Sequence, residues 1–190
     1  MPSPLILASA SSRRLSLLSQ IGIIPDSVVV PNVDETPLAG EQPRQLATRL
    51  AATKGAHVAA IYRDAVVLAA DTVVACGHRI LDKAEKTADA EAHLRLLSGR
   101  RHRVYGGVAV INPGDQVRSR LVITQVSFKR LRKRDIDDYL EAGEWKGKAG
   151  GYAIQGLAGG FVKRINGSYS NVVGLPLYET LALLRGVGAL

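Results

Sequence analysis

Apolar positions along the chain fall into short β-branched runs alternating with longer amphipathic stretches. Leu5-Ile6-Leu7-Ala8 is a continuous apolar run, and Leu15, Leu18 and Ile21, with Leu17 beside them, then recur at helical spacing. Residues 66–68 and 73–74 form an apolar run interrupted by Asp71-Thr72. Residues 104–111 read as a strand. Residues 121–128 alternate, with Val122, Val126 and Phe128 on one face, and residues 161–165 read as a late strand. Helices are predicted over 14–21, 43–62, 86–97, 134–142 and 176–184, with Pro176 as the first helical residue of the last and Gly186 as its stop. Strands and helices interleave, so the class is α/β.

Several polar residues break this pattern. Arg13 and Arg14 open the first predicted helix, with Ser11 or Ser12 as its N-cap. A cation at a helix N-terminus costs roughly 0.3–1 kcal/mol. Two in a row fit either an anion bound at that end or an exposed, solvated first turn. Lys54 falls within the stripe formed by Leu46, Leu50, Val58 and Ile61. It needs an anionic partner, such as a phosphate cleft would bring, or a route along the core rim to solvent. Asp71 sits inside an apolar strand, where a carboxylate is costly unless paired. It reads as a general base, a metal ligand or a turn cap. Asp34-Glu35 offer hard oxygen donors to a divalent cation, or form a solvated loop. Gly147, Gly150, Gly151, Gly156, Gly159 and Gly160 crowd one stretch, which bends sharply, lies against a ligand, or is simply a flexible loop.

Composition narrows the chemistry. The chain has 190 residues, of which 46% are hydrophobic and 22% charged, as in a globular protein. The single cysteine, Cys76, excludes an internal disulfide or a cysteine-based zinc site and suits a reducing compartment, most simply the cytoplasm. The N-terminus has no basic region ahead of its apolar run, which serines and arginines soon break, so no signal peptide is expected; with no run of roughly 18 apolar residues, no membrane span is expected either. The net charge of +8 points to an anionic partner. Part of it lies in Lys129-Arg130-Leu131-Arg132-Lys133-Arg134, a run with no interleaved aromatics, and no nucleic-acid-binding signature accompanies it. No Walker A or dinucleotide fingerprint is present, and His57, His78, His93 and His102 have no metal-ligand spacing.

Six blocks in order carry a resemblance. They are Ser9-Ala10-Ser11-Ser12-Arg13-Arg14, Val33-Asp34-Glu35, Ala70-Asp71-Thr72-Val73-Val74, Leu96-Leu97-Ser98-Gly99, residues 148–156 (Lys148-Ala149-Gly150-Gly151-Tyr152-Ala153-Ile154-Gln155-Gly156) and residues 165–176 (Ile165 to Pro176). Together they resemble the Maf family of nucleoside triphosphate pyrophosphatases across nearly the whole chain. The resemblance implies one domain over residues 1–190, two-lobed and of the inosine triphosphatase type, with a mixed twisted sheet flanked by helices and a cleft between the lobes. It implies hydrolysis between the α- and β-phosphates of a nucleoside triphosphate, with Mg2+ or Mn2+ as cofactor, and a homodimer. Nucleic-acid and membrane partners are not expected. Asp71 falls on the family's catalytic carboxylate. Ser9, Arg13, Arg14, Lys54 and Lys83 fall on its phosphate-binding positions, and Glu35, with Asp71, near its metal. Arg13, Thr72 and Gln155 match the branch acting on dTTP, UTP and modified pyrimidine nucleotides.

Three departures stand out. Ser12 replaces a common proline, Ala84 replaces the proline usual after the lysine at Lys83, which predicts a less rigid loop, and Gly106 replaces a threonine, removing a hydroxyl near the cleft. The competing readings are a broad-specificity nucleotide pyrophosphatase, a phosphatase releasing orthophosphate, and a basic binding protein that inhibits septum formation.

Overall fold

A computed structural model describes residues 3–190; Met1 and Pro2, on which part of the signal-peptide reading rests, lie outside them. Seven strands form one mixed sheet in the order β2-β1-β3-β5-β6-β7, with β4 paired to the far end of β3. These are β1 (Leu5–Ala8), β2 (Ser27–Val29), β3 (Val66–Cys76), β4 (Arg79–Leu81), β5 (Arg101–Ile111), β6 (Val117–Phe128) and β7 (Val162–Asn166). The pairs β1–β2 and β1–β3 are parallel, and the rest antiparallel. The helices are α1 (Ser12–Gln20), α2 (Pro43–Ala59), α3 (Thr87–Leu97), α4 (Lys133–Ala142), the short α5 (Tyr169–Val173) and α6 (Leu177–Gly186). The predicted α/β class and all five predicted helices are present, with ends shifted by a few residues.

Successive β3 side chains point to opposite faces. Val67, Ala69, Val73 and Ala75 pack with residues of α2 into two small clusters. Val66, Leu68, Ala70 and Val74 join the main core, with side chains from α1, α3, α4 and α6. Glycines set how closely α2 lies on the sheet. A Cβ on Gly107 would run into the Ala47 carbonyl, and one on Gly55 would come within 2.9 Å of Ile111. Gly107 is the register partner of Asp71, so one of these close approaches lies beside that carboxylate.

The structure corrects several local readings. Asp71-Thr72 does not interrupt the strand; β3 runs through both, its backbone satisfied by β5. Leu15 and Ile21 are exposed, and α1 buries only Leu17 and Leu18. α2 ends at Ala59, so Ile61 lies beyond it and is exposed. Val122 is only half-buried, while Thr124, Val126 and Phe128 form the buried face of β6. Pro176 is the N-cap of α6, and Gly186 is its last helical residue. Three short elements, β2, β4 and α5, carry too few residues to show a period. At Ala84, the position without the usual proline, the residue is fully buried, its N–H donates to the Lys148 carbonyl at 3.1 Å, and Lys83 forms a β-bridge with Ala149. The space beside Gly106 is filled by the Asn171 side chain, whose Nδ2 donates to Val104, Val122 and Thr124.

Candidate active site

Strand β1 stops at Ala8, whereas β3 continues for seven residues beyond Ala69, its last partner on β1. The exposed step between them opens a cleft of about 310 Å³. Helix α1 starts at this step, and its first turn lines the cleft, the arrangement that presents backbone N–H groups to an anion. Because β3 has no neighbour on its β1 side here, Asp71 and Thr72 reach the cleft from opposite faces of the sheet.

On the α2 side, Asp71 and Lys54 are both buried and meet at 2.5 Å between Oδ1 and Nζ. Lys54 Nζ also lies 2.8 Å from Glu35 Oε1, and Lys83 Nζ is 2.8 Å from Glu35 Oε2. Two ammoniums and two carboxylates thus form one chain. Lys54 and Asp71 offset each other's burial cost, and Glu35 and Lys83 carry the chain out to the exposed rim. Burial pushes the Glu35 carboxyl up, but hydrogen bonds and charge from Lys54 and Lys83 outweigh it and hold the group at about 2. The Glu35 loop is itself braced by α2. Arg49 donates to both oxygens of Glu41, at 2.6 and 2.8 Å, and to the Thr36 carbonyl at 3.1 Å.

On the α1 side, Arg14 spans the sheet end. Its Nε donates to the Gly174 carbonyl at 2.9 Å, Nη1 to Ser9 Oγ at 3.0 Å and Nη2 to Thr72 Oγ1 at 3.3 Å. Burial lowers its proton affinity, and the nearby Asp71 charge partly restores it. Burial likewise lowers that of Arg13. Ser11 sits at the N-cap of α1, but its side chain makes no capping bond. Ser9 Oγ instead accepts from the Ser11 N–H at 3.1 Å.

The opposite wall is the segment 147–155. Tyr139 Oη accepts from the Ala153 N–H at 2.9 Å, and Tyr152 Oη lies 2.7 Å from His102 Nε2. Burial pushes the Tyr139 hydroxyl up to about 12 and the His102 imidazole down to about 4, so this support is uncharged at neutral pH. Gly150, at φ 73°, packs on Val74, where a Cβ would lie 2.9 Å from it. Gln155 is exposed on this wall, and its side chain makes no hydrogen bond among the described residues.

Ser9, Arg13, Arg14, Glu35, Lys54, Asp71, Thr72, Lys83 and Gln155, all singled out from the sequence, line this one cleft; Asp34, the other proposed oxygen donor, does not, and its exposed carboxylate accepts from the Thr36 N–H at 2.9 Å instead. Sequence reasoning missed the Gly174 carbonyl, a backbone atom with no residue-type signal, and Lys148, which begins a quoted glycine-rich block but looks like an ordinary surface lysine. Among the described residues no cluster of three or more His, Cys, Asp or Glu side chains is suited to a metal. Glu35 and Asp71 are nonetheless hard oxygen donors on one cleft, both in contact with Lys54. Two carboxylates completed by phosphate oxygens are the kind of donor set Mg2+ accepts. No helix among the described residues is long and apolar enough to cross a membrane.

Fold and cleft thus define an α/β protein with a cationic pocket built around one buried carboxylate. The family model for Maf-like proteins matches residues 4–187, and the chain belongs to that family. It is 56% identical to a dTTP/UTP pyrophosphatase of Mesorhizobium japonicum, over 97% of this chain and 91% of the relative. It is 58% identical to a dTTP/UTP pyrophosphatase of Caulobacter vibrioides, over 97% and 95%. The solved Ham1 protein of Staphylococcus aureus shares 17% identity over 65% of this chain and 71% of that one, with a TM-score of 0.47.

Proposed function

We propose that the protein hydrolyses the α–β phosphoanhydride of dTTP and UTP, and of modified pyrimidine nucleotides, releasing the nucleoside monophosphate and pyrophosphate. The observation that carries this reading is the buried Asp71 carboxylate in a cleft walled by Arg13, Arg14, Lys54 and Lys83. The names of the relatives from Mesorhizobium and Caulobacter support the same reaction.

Lys54 occupies Oδ1 of Asp71, and Oδ2 has no hydrogen-bond partner among the described residues. Oδ2 is therefore the atom that takes a proton from water as the water oxygen attacks the α-phosphorus. The bond from that phosphorus to the bridging oxygen breaks, and pyrophosphate leaves with the bonding electrons. The cations stabilise the charge that develops on the phosphoryl oxygens, and positioning contributes as much as proton transfer. Glu35 and Asp71 would hold a divalent cation, Mg2+ or Mn2+, which when bound polarises phosphate oxygens. Gln155, with no partner of its own in the protein, offers both a donor and an acceptor to the edge of uracil or thymine. Thr72 is already engaged by Arg14, so its part in selectivity runs through the placement of that guanidinium.

The chain acts as one catalytic unit and pairs as a homodimer in a reducing, cytoplasmic setting, in keeping with the free thiol of Cys76. Light scattering on the purified protein tests the dimer. For the reaction, the protein is incubated with a nucleotide panel and Mg2+, and the products are identified. Pyrophosphate, with dTTP and UTP turned over faster than purine nucleotides, is the expected result. Orthophosphate would overturn the reaction class, and equal turnover across the panel would overturn the pyrimidine preference.

A further inference from the structure

Charge is distributed unevenly over the cleft. Around Asp71 it already balances, with Lys54 and Lys83 set against Asp71 and Glu35. Three other cations on the same walls have no carboxylate partner among the described residues. Arg14 donates only to a carbonyl and two hydroxyls, and Arg13 makes no hydrogen bond or ion pair. Lys148 is the third. Its Nζ donates only to the Lys146 carbonyl, at 3.0 Å.

Lys148 is firmly mounted. Its N–H donates to the Trp145 carbonyl at 3.1 Å, and its own carbonyl accepts from Ala84 at 3.1 Å and Gly151 at 2.9 Å. The next residue, Ala149, forms the β-bridge to Lys83. The side chain is half-buried and lines the cleft. Burial, and secondarily the like charge of Arg13, lower its proton affinity, and the Glu144 carboxylate only partly restores it. Holding it beside Arg13 with no carboxylate in ion-pair contact is unfavourable until an anion arrives.

We propose that Lys148, together with Arg13 and Arg14, binds the β- and γ-phosphates, the half of the substrate that leaves as pyrophosphate. This rests on the reaction proposed above. A water held by Asp71 places the α-phosphorus in the balanced part of the cleft. Most of the negative charge of a triphosphate lies further out, where the terminal group ionises twice, and it meets the three cations that have no carboxylate. The leaving group gains charge as the bond breaks, so Lys148 acts on kcat as well as on binding.

Titration calorimetry with inorganic pyrophosphate and with UMP tests the assignment in wild type and Lys148→Met, alongside UTP kinetics. Loss of one charge-assisted contact is expected to weaken pyrophosphate binding by about tenfold or more. UMP binding stays as in wild type, kcat for UTP falls, and Lys148→Arg recovers most of the loss. Unchanged pyrophosphate binding in Lys148→Met, or an equal loss for UMP, would overturn the inference. If Lys148→Met does not fold, Lys148→Gln takes its place with the same expectations. The two readings fail separately: a wild type that releases no pyrophosphate from any nucleotide refutes the reaction, whereas a wild type that releases it and a variant that still binds it normally refute only the role of Lys148.

Discussion

In the proposed reaction Asp71 is the residue on which the chemistry turns, and its environment makes a specific demand of a substitution. Asp71→Asn keeps the shape and still accepts from Lys54, so the protein should fold and bind nucleotide while turnover drops by about 10²-fold or more. Product release measured on the purified variant checks this, and wild-type turnover would remove Asp71 from the mechanism. Glu35 carries the pH-sensitive part of the cluster. Its carboxyl is held at about 2 against an ordinary value of 4.5. A depressed carboxyl stabilises the fold fully above its unfolded value, and that contribution is lost as pH falls through the folded value. The Lys54–Glu35–Lys83 contacts should therefore support stability at pH 5 and fade between about pH 4.5 and 2. Glu35→Gln should lose stability relative to wild type at pH 5 and converge on it near pH 2. Urea unfolding at the two pH values measures the difference, and a constant gap would show that the charge of Glu35 contributes nothing to stability.

At the scale of elements, the site depends on how closely α2 approaches β3 and β5. Gly107 controls that approach, since a Cβ there meets the Ala47 backbone. Gly107→Ala should push α2 outward, costing about 1–3 kcal/mol of stability and lowering turnover by moving Lys54 away from Asp71. Gly160→Ala, at a position with nothing within 4 Å, is the matched control and should leave both unchanged. Thermal unfolding and kinetics on the pair decide it. The sequence disclosed the helices because their apolar periods extend over many residues, and it disclosed Lys54 and Asp71 because each violates such a period. It concealed β2, β4 and α5, which are too short for a period. It also concealed the closeness set by Gly107, because a glycine does not announce what packs on it. Ile61 misled for a related reason: it continues the period of α2 beyond the point where the helix ends. The pairing of Lys54 with Asp71 was legible only as two separate needs, and the third dimension joined them.

Over the whole molecule, the basic run Lys129–Arg134 is partly neutralised by its neighbours. Lys129 and Arg132 pair with Asp135, Lys133 with Asp137 at 2.7 Å, and Arg134 with Asp138 at 3.6 Å. Exposed pairs of this kind add little stability, but they weaken the local field. Lys133→Gln combined with Arg134→Gln should therefore leave nucleotide turnover as in wild type and produce no change in duplex DNA binding at physiological salt. Fluorescence anisotropy checks this, and a binding loss with a steep salt slope would restore the rival reading.

The bond from Arg14 to the Gly174 carbonyl joins residues 160 positions apart. Its consequence lies in how the protein is made. At about 5–20 residues per second of synthesis, Arg14 emerges roughly 8–30 s before its acceptor exists. Until then the first strand and helix can form, but the guanidinium lacks the contact that aims it. The cleft therefore matures only once Gly174 has been made, and a chain stalled before that residue is expected to be inert towards the nucleotide pool around it.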